Sequence, residues 1–269
     1  MASGFAAAGG YNFKGSMDTY SAMEGQKRES PAAERNKEPI AGVLVEHLRA
    51  ATVTVTAKPA AQRPVILELA SGSGQHAAHM AGKLPAFDIQ PSDVTSELFG
   101  SIAAYAANVP NVLLPPLVLD ATAPDWPESA AAAAAERRRA AGASPSAAPS
   151  AGTGASAGAS GDSLNADAVL CINMCHISPL EATRGLLRGA GRALRPGGGL
   201  LFVYGPFTRD RHHTSESNAA FDASLRARCP DWGYRDLGDM ADWAAEAGLE
   251  RVEVREMPAN NFMLVFRRP

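Results

Sequence analysis

The chain has 269 residues, 46% of them hydrophobic and 20% charged, with a formal net charge of −3 at pH 7. That length suits one globular domain or two small ones. Near-neutral charge gives no footprint for non-specific nucleic-acid binding, which shows as a clustered basic face, and no run of 18 or more apolar residues marks a membrane span.

Residues 1–31 read as a flexible tail. Glu34-Arg35-Asn36-Lys37-Glu38 precedes Pro39, after which Ile40, Val43, Leu44, His47 and Leu48 recur at helical spacing. The pattern predicts an amphipathic helix with Pro39 in its first turn. Residues 65–69, Val-Ile-Leu-Glu-Leu, read as a buried strand, and a helix over 75–84 stops at Pro85. A second strand covers 87–90 and a helix covers 96–107. The third strand, 112–119, carries Pro115-Pro116 and therefore belongs at a sheet edge.

Residues 127–163 are dominated by Ala, Gly, Ser and Pro. They carry too little apolar surface to offset the entropy of ordering, which predicts a disordered insertion in a domain spanning 32–269. Strands over 168–172 and 200–204 flank a helix opened by Ser178-Pro179-Leu180-Glu181 as a capping box. A helix over 239–247 precedes strands over 251–256 and 262–267. Their short connection, Met257-Pro258-Ala259-Asn260-Asn261, makes that last pair antiparallel. The alternation predicts an α/β fold with a mostly parallel sheet and an antiparallel C-terminal hairpin. The three cysteines, Cys171, Cys175 and Cys229, form no C-x-x-C pair. An odd count argues against a disulfide framework and for a reducing, cytoplasmic location. The Ala/Gly/Ser-rich N-terminus leaves organellar import open.

The most informative stretch follows the first strand. Glu68-x-x-Ser71-Gly72-Ser73-Gly74 joins a strand to a helix through a turn whose glycines let the backbone approach a ligand. The free N–H groups opening the helix suit a polar or anionic group. This order resembles the first motif of S-adenosylmethionine-dependent methyltransferases. Gly72-x-Gly74-x-x-Ala77 also fits the dinucleotide fingerprint, with Asp93 near its acidic position.

Further blocks extend the resemblance: Arg35-Asn36-Lys37-Glu38-Pro39-Ile40, Gln90-Pro91-Ser92-Asp93, Asn173-Met174-Cys175-His176-Ile177-Ser178-Pro179, Tyr204-Gly205-Pro206, Ser217-Asn218 with Phe221-Asp222, Trp232-Gly233 with Arg235-Asp236, and Met257-Pro258-Ala259-Asn260-Asn261. Together they resemble the methyltransferase-like protein 26 family from about residue 33 to residue 267. The resemblance implies a Rossmann-like class I methyltransferase fold, seven-stranded, with S-adenosylmethionine as cofactor. It supplies no methyl acceptor.

In such a fold Gly72 and Gly74 approach the methionyl part of the cofactor, and Glu68 reaches its ammonium through water. Ser71 is a ligand contact or a turn residue. Asp93 accepts the ribose hydroxyls, caps the next helix, or both. Asp120 receives the adenine amino group or caps the turn before Thr122. Asn173 closes over the sulfonium. His176 is the candidate general base or a structural histidine, and Tyr204 helps position the acceptor. Arg35 and Asn36 form a lid over the cofactor or cap a helix. Asn218, Trp232, Arg235, Asn260 and Asn261 lie on loops, where they contact the acceptor or brace one loop against another. His212-His213 contact an acidic substrate or form an exposed loop pair. Cys175 and His176 belong to no ligand set at zinc spacing, so no metal is expected. Three functions fit: a methyltransferase with an unidentified acceptor, a non-catalytic cofactor-binding or scaffold protein, and a nicotinamide-dependent oxidoreductase.

Overall fold

The computed structural model describes residues 21–22, 27–55, 63–140 and 163–269. A two-residue ladder joins β1 (Ser21–Ala22) to β2 (Arg28–Glu29). Ser30 then caps α1 (Pro31–Val55), its Oγ accepting the Ala33 N–H at 3.3 Å. Proline does open the helix, where its missing N–H costs nothing, but the proline is Pro31. Pro39 lies inside the helix, which starts well before the expected position. Ile40, Val43, Leu44 and Leu48 are buried, as their spacing requires. The expected tail lies mostly outside the described residues. Its last part is structured: Ser30 is buried and its N–H meets the Gln75 side-chain oxygen.

β3 (Val65–Leu69), α2 (Gln75–Lys83), β4 (Asp88–Asp93), α3 (Phe99–Ala106) and β5 (Leu117–Val118) follow. β4 runs through Pro91-Ser92-Asp93, which the sequence had closing a shorter strand. The third strand shrinks to a two-residue edge strand, because two prolines remove ladder donors. After α4 (Trp126–Ala140) come β6 (Ala168–Ile172), a 3-10 turn (Cys175–Ile177), α5 (Leu180–Ala193), β7 (Gly199–Gly205) and β8 (Phe207–Thr208). The chain ends with α6 (Glu216–Arg228), β9 (Arg235–Asp236), α7 (Leu237–Glu246), β10 (Glu250–Met257), a 3-10 turn (Pro258–Asn260) and β11 (Asn261–Arg268). Ser178 does not cap α5: its Oγ turns back to the Cys175 carbonyl at 3.4 Å.

The main sheet has seven strands in the order β10-β11-β7-β6-β3-β4-β5. β5, β4, β3, β6 and β7 are parallel, and β11 runs antiparallel between β7 and β10. Alternate residues face opposite layers. Leu67, Leu69, Val169, Cys171, Leu201, Val203 and Leu264 pack with α4, α5 and α7. Ile66, Ile89, Leu170, Ile172, Phe202 and Met263 pack with α1, α2 and α3.

The disordered insertion expected over 127–163 is corrected over 127–140, and residues 141–162 lie outside the described residues. Alanine is the best helix former, and α4 buries Trp126, Ala130, Ala131 and Ala135. Trp126 Nε1 donates to the Gly185 carbonyl at 3.1 Å. A Cβ on Gly189 would stand 2.1 Å from the Trp126 ring. The alanine-rich composition that reads as low complexity is thus a helix whose tryptophan fills a glycine slot on α5.

Gly189→Ala should destabilise the fold by about 1–3 kcal/mol through overpacking. Thermal denaturation should show a loss of several degrees. In a Trp126→Ala background the same change should cost much less, because the clashing ring is gone. An equal loss in both backgrounds would disprove the slot.

Candidate functional site

The chain winds outward from β3 through β4 to β5, then returns to β6 on the other side of β3. Where the winding direction reverses, the two flanking loops diverge and leave a crevice at the carboxyl ends of the strands. Glu68 stands at that edge, in register with Pro91 and Leu170. Its side chain is only 1% exposed. Burial pushes its carboxyl up to about 8, with the Asp93 charge adding to the rise and a Ser71 hydrogen bond opposing it. Among the described residues Glu68 Oε2 has no hydrogen-bond partner. A buried acid in this state keeps its proton at neutral pH and favours an approaching cation.

The turn after β3 alternates left-handed residues: Ala70 at φ 58°, Gly72 at 52° and Gly74 at 87°. A Cβ on Gly74 would lie 2.7 Å from the Ile102 Cα, so this glycine is required by the approach of α3. Gly72 donates its N–H to Asp93 Oδ2 at 2.8 Å, while Asp93 Oδ1 accepts the Val94 N–H at 2.8 Å. Asp93 therefore shapes the turn and caps its own loop. With Thr95 N–H as a third backbone donor, the carboxylate keeps one lone-pair site for a ligand hydroxyl. Burial, the largest influence, raises the Asp93 pKa against these hydrogen bonds. Ser71 knits the tips of β3 and β4: its N–H donates to the Ser92 carbonyl at 2.8 Å, and its Oγ accepts the Ser92 N–H at 3.1 Å. That is the turn role.

The opposite wall starts at Asn173, left-handed at φ 57°, whose N–H donates to the Tyr204 carbonyl at 2.9 Å. The Tyr204 hydroxyl bonds to the side chains of Asn36 and Asn261, and burial raises its pKa. Asn36 Oδ1 meets His76 Nε2 at 2.7 Å. His76 is buried, its pKa lowered to about 4 chiefly by desolvation, so the neutral ring donates to Asn36. This chain of contacts joins α2, α1, β7 and β11 around the crevice. Sequence reasoning missed His76, although a histidine in the first helical turn after a glycine bend was a visible signal. Arg35 is exposed and faces Tyr204 only as a nearby charge.

His176 is buried beneath this wall. Its Nδ1 would lie 3.4 Å from a Cβ on Gly205, and Asn173 Oδ1 3.9 Å. The ring packs against Phe221 at 6.0 Å and Tyr234 at 6.2 Å. Burial, helped by the Arg235 charge, lowers its pKa to about 3. So weak a base holds a proton poorly at neutral pH, and the geometry gives His176 a packing role.

The loop candidates resolve mostly into braces. Arg235 is buried and donates to Thr183 Oγ1 at 3.3 Å and to the carbonyls of Ser178 at 2.7 Å and Asp231 at 3.4 Å. Asn218 Nδ2 donates to Thr214 Oγ1 and to the Asn260 carbonyl, each at 3.1 Å. Trp232 is buried in a small cluster with Leu225 and Tyr234. Asn260 is exposed, while Asn261 Nδ2 donates to the Pro258 carbonyl at 3.2 Å. Asp120 is exposed and its Oδ1 accepts the Thr122 N–H and hydroxyl, both at 2.8 Å. No described group of three or more His, Cys, Asp or Glu is placed to hold a metal ion.

The strand order, the antiparallel β11 and the crevice define a Rossmann-like α/β protein with the methyltransferase fold. The fold is similar to that of an O-methyltransferase family protein from Burkholderia thailandensis (16% identity, TM-score 0.55, 87% of this chain and 60% of that one). It is also similar to a putative sarcosine dimethylglycine methyltransferase from Galdieria sulphuraria (14% identity, TM-score 0.56, 88% and 86%). A third likeness is to human N-acetylserotonin methyltransferase in complex with SAM (14% identity, TM-score 0.51, 88% and 58%). The chain therefore spans less than two thirds of the length of two of these proteins. By sequence it belongs to the family described as Protein of unknown function (DUF938), whose model matches residues 27–268.

Glu68 makes a pH test of the crevice. Its folded pKa near 8 lies well above the ordinary carboxylate range. The folded state thus holds a proton that the unfolded state releases, and stability falls as pH rises from the ordinary carboxylate range through the folded pKa. Glu68→Gln copies the protonated acid without that loss. Its Tm relative to the unmodified protein should rise between about pH 5 and about pH 8.5. A constant difference would mean that Glu68 is already ionised in the fold.

Proposed function

We propose that the chain is an S-adenosylmethionine-dependent methyltransferase of the kind the methyltransferase-like protein 26 resemblance implies, acting on an acceptor other than bulk nucleic acid. The observation that carries this reading is the buried Glu68 carboxyl with an unpartnered oxygen, at the topological switch, beside Asp93. The pair matches a ligand with a cationic group and a hydroxyl. When bound, the cofactor supplies a methyl group already activated by its sulfonium.

What remains for the chain is binding, positioning and exclusion of water. Glu68 gives up its proton and pairs with the ammonium. Asp93 accepts a ribose hydroxyl while Gly72 holds its carboxylate in place. The Ser71–Ser92 clamp keeps both carboxyls at a fixed separation. Asn36, fastened to His76 and Tyr204, brings the start of α1 over the crevice. Asn173 presents its side chain where β6 ends, on the side facing the acceptor.

Isothermal titration should show S-adenosylhomocysteine binding in the micromolar range, about −8 kcal/mol. Near pH 7 binding should release close to one proton, about 0.9, because a group with pKa near 8 is mostly protonated there. The apparent enthalpy will then differ between buffers of unlike ionisation enthalpy. Glu68→Gln should abolish that buffer dependence, and Asp93→Ala should weaken binding at least about tenfold, or ~1.4 kcal/mol. Absence of binding by the unmodified protein would remove the proposal. Binding without turnover on any acceptor would favour the scaffold reading.

A further inference from the structure

The segment that follows β7 carries a histidine and a carboxylate arranged as a base and its orienting partner. His213 Nε2 lies 3.0 Å from Asp222 Oδ2, with side chains 30% and 9% exposed. Asp222 is fixed from three sides: Oδ1 accepts the Tyr234 N–H at 2.7 Å, and Oδ2 is shared between His213 and Arg226 Nε at 3.2 Å. Against the opposing effect of burial, these donors hold the Asp222 carboxyl below its ordinary range. An ionised Asp222 can only accept, so it orients the imidazole with Nε2–H donating to it and Nδ1 turned away from the carboxylate. The Tyr234 ring packs at 5.6 Å from the His213 ring and at 6.2 Å from the His176 ring.

The fold links this pair to the crevice. Asn218, on the same helix as Asp222, holds the Asn260 carbonyl, and Asn261 holds the Tyr204 hydroxyl. α6 is therefore braced onto the acceptor-side wall, with His213 in the loop just before it.

We propose that His213 is the general base for the methyl acceptor, with Asp222 as its positioning residue, and that the acceptor is a phenolic hydroxyl. The proposal rests on the methyltransferase reading above. Acids far weaker than phenols lie beyond an imidazole base, while carboxylates and other strong acids ionise without one. A phenol, with pKa about 10, falls between. The Arg226 guanidinium on Asp222 favours an acceptor that becomes negative over an ammonium that starts positive. In the step the acceptor oxygen forms the O–CH3 bond as the C–S bond breaks. Its pair goes to sulfur, leaving S-adenosylhomocysteine, and the phenolic proton moves to His213 Nδ1. Asp222 stabilises the resulting imidazolium.

The test uses the full chain with p-cresol, 4-nitrophenol and benzylamine as probes. 4-Nitrophenol is already largely ionised in mildly alkaline buffer and needs no base; p-cresol does. His213→Ala, His213→Gln and Asp222→Asn should each lower kcat on p-cresol by about 10²–10⁴, with a far smaller loss on 4-nitrophenol. S-adenosylhomocysteine affinity should stay within about threefold. With S-adenosylhomocysteine present, bound 4-nitrophenol should show its phenolate absorbance at lower pH in the unmodified protein than in His213→Gln. His213→Gln can still bond Asp222 but takes no proton, which guards against a folding defect in the alanine variant. Equal losses on both phenols, no loss, or methylation of benzylamine alone would overturn the proposal. A protein that binds S-adenosylhomocysteine yet methylates neither phenol overturns it too, leaving the wider reading intact. Failure to bind S-adenosylhomocysteine removes that wider reading itself.

Discussion

The direction reversal at β3 is the constraint on which the rest depends. Parallel strands put all their carboxyl ends on one edge, and growth outward on both sides of β3 leaves a crevice that neither flanking loop can cover. A residue just before the end of β3 is therefore buried by its neighbours yet lies at the carboxyl edge of the sheet. That residue is Glu68, between Pro91 and Leu170 in register. Its desolvation is a direct result of sheet order. The clamp between Ser71 and Ser92, and the bond from Gly72 to Asp93, keep the tips of β3 and β4 from spreading and so preserve the burial.

Much of this was legible in the sequence because it is encoded locally. Val65–Leu69 is apolar enough to announce a buried strand, and the glycine turn needs positive φ at fixed positions. The short loop at 258–260 dictates an antiparallel C-terminal pair. What was not legible depends on contacts distant in sequence. Pro39 looks like a helix start, and only Ser30, capping one side and reaching Gln75 on the other, explains why the helix begins earlier. α4 reads as low complexity because alanine contributes little hydrophobicity. Its order comes from Trp126 entering the slot that Gly189 leaves on α5.

The same division runs through the site. Asp93 ends β4, and Glu68 and Asn173 lie within one residue of a strand end, so the strand and glycine-turn readings together put all three at the carboxyl edge of the sheet. Arg235, Asn218 and Trp232 look like ligand contacts because they are polar or aromatic residues on loops. In the fold they are buried, and Arg235 and Asn218 spend their donors on protein carbonyls and hydroxyls. His213 and Asp222 sit nine residues apart across a loop and a helix start, with no periodic pattern to join them. Their pairing needs Tyr234 and Arg226 to hold the carboxylate.

Arg235 also sets the electrical character of the wall that starts at Asn173. It is buried, and among the described residues its hydrogen bonds go to Thr183 Oγ1 and to backbone carbonyls, not to a carboxylate. A desolvated guanidinium without a carboxylate partner projects positive potential onto its neighbours. It contributes to keeping His176 neutral and to lowering the Cys175 thiol, although the Cys171 hydrogen bond is the larger cause for the thiol. Across the crevice the excess is of the opposite kind: burial raises both carboxyls, and the Asp93 charge adds to the cost of ionising Glu68. The two sides therefore prefer unlike partners: a cation relieves the carboxyls, and a group gaining negative charge is favoured near the guanidinium. Because the two carboxyls are anchored at the ends of β3 and β4 and Arg235 in the β8–β9 ladder, this polarity is built before any ligand arrives and needs no reorganisation to act.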